Sequence, residues 1–259
     1  MQPKYRRPLN NHQLTILNTL YKFRFVTASL LAENQNAKHL RVTSNRLKIL
    51  VEQEYIGMNY DSSYRIKGQP AAYYLLPKGV RYLRQQSYVQ ESALRSIYHD
   101  KRATPSQIAH RLNVFRVFID LKNTYPGRFK FFSKTELMNK NYAPKTKPDA
   151  QIIDAQTNQH YFMDCLEDTA SFWTFRKAVK RYITYAELGI WQKHKPNQPH
   201  PTILFVCESN NLKKKVESIA TKELDSSYVE LTITATTLEG IGSQDISPPA
   251  LERGVILAI

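Results

Sequence analysis

The sequence predicts a fold of α+β or α/β class in two parts, a helical N-terminal module with a short sheet and a C-terminal domain on a mixed sheet. Two observations indicate this. Apolar residues follow helical spacing through most of the first half, whereas from Phe129 short apolar runs of strand length alternate with helical segments. We therefore expect an N-terminal domain over 1–86, a helical connector over 87–128 and an α/β domain over 129–259.

The N-terminal module begins with a capping signal. Asn10 and Gln13 have capping-box spacing, and an apolar stripe at helical intervals follows, formed by Leu14, Ile16, Leu17 and Leu20. Thr27 caps a short second helix, and the polar turn at 34–36 precedes a third helix from about Lys38 to Gln53. Three helices within about forty residues predict a helix-turn-helix.

The third helix has two different faces. Its core side is predicted to hold Leu40, Ser44, Leu47, Leu50 and Val51, and its other side Lys38, Arg41, Val42 and Asn45. Arg and Lys donate to guanine edges or phosphates, and Asn can form two hydrogen bonds with adenine, so Lys38, Arg41 and Asn45 are candidates for the major groove. An ordinary solvated helix face is the alternative.

The next segment favours the first interpretation. Two short strands are predicted at 55–58 and 72–76, and a polar loop, NYDSSYRIKGQP, lies between them. This order predicts a winged helix-turn-helix, in which Arg65 and Lys67 of the wing contact the sugar-phosphate backbone. Pro77 then occupies the first turn of a further helix.

The charge distribution points to the same segment. The chain carries 37 Lys and Arg against 22 Asp and Glu, a net charge of +15, and residues 1–86 hold 14 of the former but only 4 of the latter. Such a field attracts polyanions. Double-stranded DNA is therefore the predicted partner, with a merely soluble basic surface as the alternative.

The C-terminal half alternates strands and helices. After a polar connector at 87–104, Thr104 and Pro105 start a helix that reaches about Asn123. Strands are then predicted at Lys130–Phe132, Ala150–Ile153, His160–Leu166, Thr202–Cys207 and Tyr228–Ile233, with helices at Ser171–Glu187 and Asn211–Leu224. This order implies an α/β core with a mixed sheet.

Two acids are the candidate chemical site. Asp149 follows a proline at the start of one strand and Asp164 lies inside the next, so the two carboxylates are expected to converge on one Mg²⁺ ion. Such an ion would activate water at a scissile phosphate. The following helix is expected to bury Phe172, Phe175, Val179, Tyr182 and Ile183, and to present Trp173, Lys177, Lys180, Arg181 and Thr184 either to a phosphate backbone or to solvent.

Several stretches together resemble the plasmid replication-relaxation family, a winged helix followed by a domain related to the PD-(D/E)xK nucleases. They are GQPAAYYLLPKGVRYL, AHRLNVFRVFI, KPDAQIIDAQTNQHYFMDCLEDT with the Lys-rich helix ending in RYITY, and TILFVCES. The resemblance implies a restriction-endonuclease-like C-terminal domain and a role in replication initiation, relaxation or mobilisation of a plasmid or other mobile element.

The resemblance also assigns site residues. Asp149 matches the family's proline-aspartate acid, and Asp164 stands where the second acid is expected, so these two would hold Mg²⁺ in an active site. Leu166 departs from the pattern, since a leucine at the usual lysine position can neither bind metal nor polarise a phosphate. Glu167, Lys177 and Lys180 are candidates to replace that group from a shifted position, and we expect an incomplete site with slow or absent cleavage.

The sequence is compatible with three functions. They are a replication or mobilisation protein, a winged-helix transcription regulator and an active Mg²⁺-dependent endonuclease. No run of about twenty apolar residues and no secretion signal is found, so a cytoplasmic protein without a membrane partner is expected. Cys165 and Cys207 lie in apolar runs and are expected to be reduced, and the sequence leaves a homodimer open.

Overall fold

The computed structural model describes residues 8–60, 68–87 and 89–242. The chain divides into two compact units, 1–112 and 113–259, with a helical N-terminal part in the first and a five-stranded mixed sheet in the second. The division falls inside the segment that the sequence predicts as a connector. Among the described residues, no helix is both long and apolar enough to span a membrane.

The first unit combines helices with a small antiparallel sheet whose strand order is β1-β3-β2. Its elements are α1 (Asn11–Phe23), β1 (Val26–Thr27), α2 (Ala28–Asn34), α3 (Leu40–Glu52), β2 (Ile56–Asn59), β3 (Ala72–Leu75), α4 (Pro77–Arg84), α5 (Glu91–Ile97), a 3-10 turn (Asp100–Arg102) and the start of α6 (Pro105–Thr124).

The predicted starts of α1 and α2 are confirmed by capping bonds, and that of α4 by its first-turn proline. The side chains and backbone amides of Asn10 and Gln13 bond each other reciprocally at 3.0 Å. The Oγ1 of Thr27 accepts from the Leu30 amide at 3.2 Å, and Pro77 opens α4. These bonds satisfy amide donors that have no partner inside a helix.

Three features of the first unit differ from the prediction. Strand β1 was not predicted, since two residues are too short to show a period. The segment 87–104 contains α5, which buries Ala93, Leu94 and Ile97, so it is not simply polar. Leu40, expected on the core side of α3, is 51% exposed because it is the first residue of the helix, and the core begins at Thr43 one turn later.

Two close contacts join distant segments of the first unit. Arg24, at the end of α1, donates to both carboxylate oxygens of Asp100 at 2.8 and 2.6 Å and to the carbonyl of Ser96 at 2.6 Å. The second contact explains a glycine inside α4, because a Cβ on Gly79 would lie 2.4 Å from the Tyr55 carbonyl oxygen. Only glycine allows this approach.

The second unit is built on a sheet in the order β4-β5-β6-β7-β8. The first three strands pair antiparallel, and β6, β7 and β8 pair parallel. Its elements after α6 are β4 (Phe129–Ser133), α7 (Lys134–Leu137), β5 (Ala150–Asp154), β6 (His160–Leu166), α8 (Phe172–Glu187), α9 (Ile190–His194), β7 (Thr202–Cys207), α10 (Asn210–Asp225), β8 (Ile233–Thr237) and α11 (Leu238–Gly242).

The predicted strands are found, except that the last begins at Ile233 and not at Tyr228, whose side chain is fully exposed. The short helices α7 and α9 were not predicted. Helix α8 buries Phe175, Val179, Tyr182 and Ile183 in one apolar cluster with the sheet. Phe172 was assigned to that face wrongly, since it lies at the first helical residue and is 56% exposed. Cys165 and Cys207, on β6 and β7, are free thiols and buried.

Candidate nucleic-acid interface and acidic pair

Helix α3 presents a polar face to solvent. Arg41, Asn45 and Lys48 are exposed along it, and Lys38 is exposed just before the helix begins. The exposed apolar side chains of Val42 and Ile49 lie among them. The face therefore combines cations, an amide and methyl groups, the groups that recognise base edges and the thymine methyl in a major groove.

In the second unit, strand register places three charged residues in one row. Ala150 lies opposite both Ser133 and Met163, so the next position along brings Lys134, Asp149 and Asp164 side by side. The amide of Lys134 donates to the Asp149 carbonyl at 2.8 Å, which extends the β4–β5 ladder to this row. The Lys134 Nζ is 3.7 Å from Asp149 Oδ1.

The two acids bond to each other's strands. The Asp149 amide donates to Asp164 Oδ1 at 3.1 Å, and the Cys165 amide donates to Asp149 Oδ2 at 3.2 Å. Both residues are buried, at 4% and 7% exposure. The structure therefore brings the two predicted acids together, through backbone donors that a carboxylate accepts in its ionised form.

Helix α8 supplies the counter-charge. The guanidinium of Arg181 donates to Asp164 Oδ2, and the Tyr182 hydroxyl donates to the same oxygen at 2.7 Å. Burial opposes the charge of Arg181, but the Asp164 carboxylate outweighs it, so the pKa of Arg181 lies above its usual value. Burial, reinforced by the same carboxylate, raises the pKa of Tyr182 and keeps its hydroxyl protonated as a donor.

Leu166, two residues after the second acid, lies in the apolar core. It is 8% exposed and belongs to the same buried cluster as Phe175 and Val179 of α8. A lysine there would have to bring its ammonium into this cluster, at a large desolvation cost. The packing gives a physical reason for leucine at this position.

The acidic pair does not fit a Mg²⁺ site in this arrangement. Mg²⁺ takes oxygen ligands at about 2.0–2.1 Å in an octahedron. Three of the four carboxylate oxygens accept hydrogen bonds, one of them, Asp164 Oδ2, from the Arg181 guanidinium. The fourth, Asp149 Oδ1, faces the Lys134 ammonium. Within the described ranges, no group of three or more His, Cys, Asp and Glu side chains is placed to hold a metal ion.

The remaining predicted site residues lie elsewhere. Lys177 and Lys180 are on the exposed face of α8. The Lys180 Nζ lies 3.4 Å from Glu223 Oε2 on α10. Neither lysine forms an ion pair with Asp149 or Asp164. Arg181 lay on the predicted phosphate-facing stripe but is paired with Asp164. Arg65 and Lys67 lie outside the described residues.

Sequence reasoning missed Lys134 and the inward turn of Arg181, and it placed Tyr182 on the buried face without its hydrogen bond to Asp164. Lys134 had a signal, because Ser133 and Glu136 form a capping box directly after β4 and so fix where the strand ends. Arg181 had none. Helical periodicity places it beside Lys177, and only the contact with β6 shows that its long side chain turns inward.

The first unit has basic residues on an exposed helix, and the second has a buried row of charges in a mixed sheet. The protein is thus an α and β protein of two units. The sequence model of the replication-relaxation family matches residues 17–200, well over half of the chain and parts of both units. The chain therefore belongs to the replication-relaxation family. Neither the curated proteins nor the solved structures give a significant match.

Proposed function

We propose that this chain is a DNA-binding protein of a plasmid or other mobile element that acts in replication initiation, relaxation or mobilisation. Membership of the replication-relaxation family supports the process. The net charge of +15 supports a polyanionic partner. The cytoplasm, where such DNA is found, is the proposed location.

The observation that carries the proposal is the exposed face of α3. In a helix-turn-helix, the helix that enters the major groove leaves its outward side chains free to contact base edges. Lys38, Arg41 and Asn45 are exposed, and neither Lys38 nor Arg41 forms an ion pair with another described residue. Duplex DNA bound to this face would receive hydrogen bonds from the guanidinium of Arg41 and from the amide of Asn45.

We further propose that the first unit is a winged helix-turn-helix. The order α1, β1, α2, α3, β2 and β3 supports it, because the loop between β2 and β3 then corresponds to the wing. Arg65 and Lys67 belong to that loop, which lies mostly outside the described residues. Their proposed role is to contact phosphates beside the groove.

A binding experiment with the full chain tests these roles. Fluorescence anisotropy would compare wild type, Arg41→Ala/Asn45→Ala, Arg65→Ala/Lys67→Ala and the control Arg102→Ala on duplexes of several sequences. We expect the first variant to lose sequence preference and the second to weaken all duplexes alike, with a salt slope flatter by up to about 2. Binding curves identical to wild type for both variants would refute the interface.

For the second unit we propose a PD-(D/E)xK-like domain whose acidic pair does not cleave duplex DNA efficiently on its own. The antiparallel β4, β5 and β6 followed by α8 and a parallel β7, with Asp149 opposite Asp164, support the likeness. Arg181 and Leu166 support the loss of activity, since one neutralises the second acid and the other replaces the expected lysine.

Nicking of supercoiled plasmid with Mg²⁺ or Mn²⁺ tests this second proposal. We expect no nicking, or slow nicking that Asp149→Ala abolishes. Efficient metal-dependent cleavage by wild type that Asp149→Ala removes would show instead that the chain is an endonuclease. The transcription-regulator alternative predicts binding at a promoter and no effect on plasmid replication or relaxation.

A further inference from the structure

The start of α8 exposes two large aromatic rings. Phe172 is 56% and Trp173 is 68% exposed, although aromatic side chains of this size are usually covered in a folded domain. The rings pack edge to face with centroids 5.9 Å apart, and the Arg176 guanidinium lies 5.6 Å from the Trp173 ring centroid. These contacts hold the indole in place while leaving most of its surface open.

Cationic residues continue from Trp173 along the same side of the helix. Lys177 is one turn further on and Arg181 two turns further, because residues four apart are neighbours on a helix surface. At 1.5 Å per residue, Trp173 and Arg181 are separated by about 12 Å along the axis. Arg181 pairs with Asp164, so the row leads from an open ring to the acidic pair.

The positive charge on this part of α8 favours binding of a polyanion. Four cations, Arg176, Lys177, Lys180 and Arg181, lie within six residues of α8. Glu223 neutralises part of the charge of Arg176 and Lys180, and Asp164 that of Arg181. Lys177 is exposed and has no ion-pair partner among the described residues, which leaves it available for a phosphate one turn from the indole.

We propose that this surface, residues 172–181, binds single-stranded DNA, with an unpaired base stacked on Trp173 and an adjacent phosphate on Lys177. The inference rests on the proposed function and deepens it, because opening a duplex for replication initiation or mobilisation exposes single strands. Aromatic rings beside cations are the usual means of holding unpaired nucleotides, since every base has a face that stacks. In a duplex those faces are covered by neighbouring base pairs, so an exposed indole selects the unpaired form.

The two tryptophans give a direct test. Trp191 is fully buried, so quenching by an added oligonucleotide reports on Trp173. We expect a thymidine oligonucleotide to quench wild-type fluorescence, and Trp173→Ala to weaken binding at least about fivefold by anisotropy of a labelled oligonucleotide. Trp173→Phe should retain most of the affinity because it keeps a ring.

Two further variants separate the contributions. Lys177→Ala should reduce the slope of log affinity against log salt by about 0.7, the value for one phosphate contact on a single strand. Leu188→Ala is the matched control, since Leu188 is an exposed apolar residue at the other end of α8 and should leave binding unchanged. Circular dichroism of each variant checks folding.

The outcomes distinguish this inference from the proposed function. If wild type binds duplex through α3 but Trp173→Ala binds the oligonucleotide as tightly as wild type, the single-strand surface is refuted and the proposed function stands. If Trp173→Ala instead dissociates an oligomer and leaves oligonucleotide affinity unchanged, the rings form a protein interface and the inference is again refuted. If wild type fails to bind duplex while Trp173 still governs oligonucleotide binding, the duplex role fails and the inference holds.

Discussion

Arg181 of α8 donates a hydrogen bond to the Oδ2 of Asp164 on β6, and so places a cation on the second acid of the pair. Because Asp164 is 7% exposed, removing this partner leaves a buried carboxylate without its counter-charge. We expect Arg181→Ala to lower the free energy of unfolding by about 3 kcal/mol, measured in urea.

Lys177→Ala is the control for that variant. Lys177 is an exposed cation one turn earlier on the same helix, so its removal should change stability by no more than about 0.5 kcal/mol. Equal stabilities for both variants would show that the Arg181–Asp164 pair contributes little.

The same substitution tests why the acidic pair does not fit Mg²⁺. Arg181→Ala frees Asp164 Oδ2 from its cation, and a ligand that binds only the folded state raises its melting temperature. We expect millimolar Mg²⁺ to raise the melting temperature of Arg181→Ala and not that of wild type. The double variant Asp149→Ala/Arg181→Ala should lose the effect, whereas an equal Mg²⁺ shift in wild type would mean that Arg181 does not close the site.

Phe172 and Phe175 provide a matched pair on α8. Phe175 is 4% exposed within the apolar cluster and Phe172 is 56% exposed. Phe175→Ala should cost about 3 kcal/mol or more in denaturant melts because it leaves a cavity. Phe172→Ala should cost less than about 1 kcal/mol, and the reverse order would mean that α8 is rotated relative to the structure.

The carboxyl group of Asp154 should make the stability of the fold depend on pH. Burial opposes ionisation of Asp154, but hydrogen bonds from Arg128 and the Gln156 amide and the charge of Arg128 outweigh it, so its pKa lies below its usual value. A depressed carboxyl pKa stabilises the folded state above the unfolded pKa, near 4, and this contribution is lost as pH falls through the folded pKa.

Asp154→Asn should therefore be less stable than wild type at neutral pH, and the difference should shrink as the pH falls below about 4. Unfolding in urea at a series of pH values measures it. Asp225→Asn, an exposed acid at the end of α10, is the control and should show no such trend. A stability difference between wild type and Asp154→Asn that stayed constant with pH would refute the lowered pKa of Asp154.

The sequence predicted the elements whose signals are local. The cap of Asn10 on Gln13 and the strand over His160–Leu166 were placed correctly, because side-chain capping and apolar runs depend on neighbouring residues alone. Strand β1 and helix α5 were missed, since their stability comes from tertiary partners such as β3 and not from their own pattern. Propensity is weak in such short segments.

The candidate site was predictable to the same extent. The pairing of Asp149 with Asp164 follows from counting residues between two strands, and the structure places them together. The contact of Arg181 with Asp164 joins residues seventeen apart through the packing of a helix on a sheet, and no periodicity encodes how a long side chain turns. The exposure of Phe172 likewise depends on which residue of α8 is the first to pack against the sheet.

The two cysteines make the core of the second unit accessible to chemical labelling. Both thiols are buried on neighbouring strands, and burial raises the pKa of Cys207 to about 12, so few thiolates form at neutral pH. A thiol-reactive reagent can then modify the native chain only when β6 or β7 opens. The labelling rate would thus measure how often the two strands next to Asp164 open, and labelling with added duplex DNA would test whether DNA slows this opening.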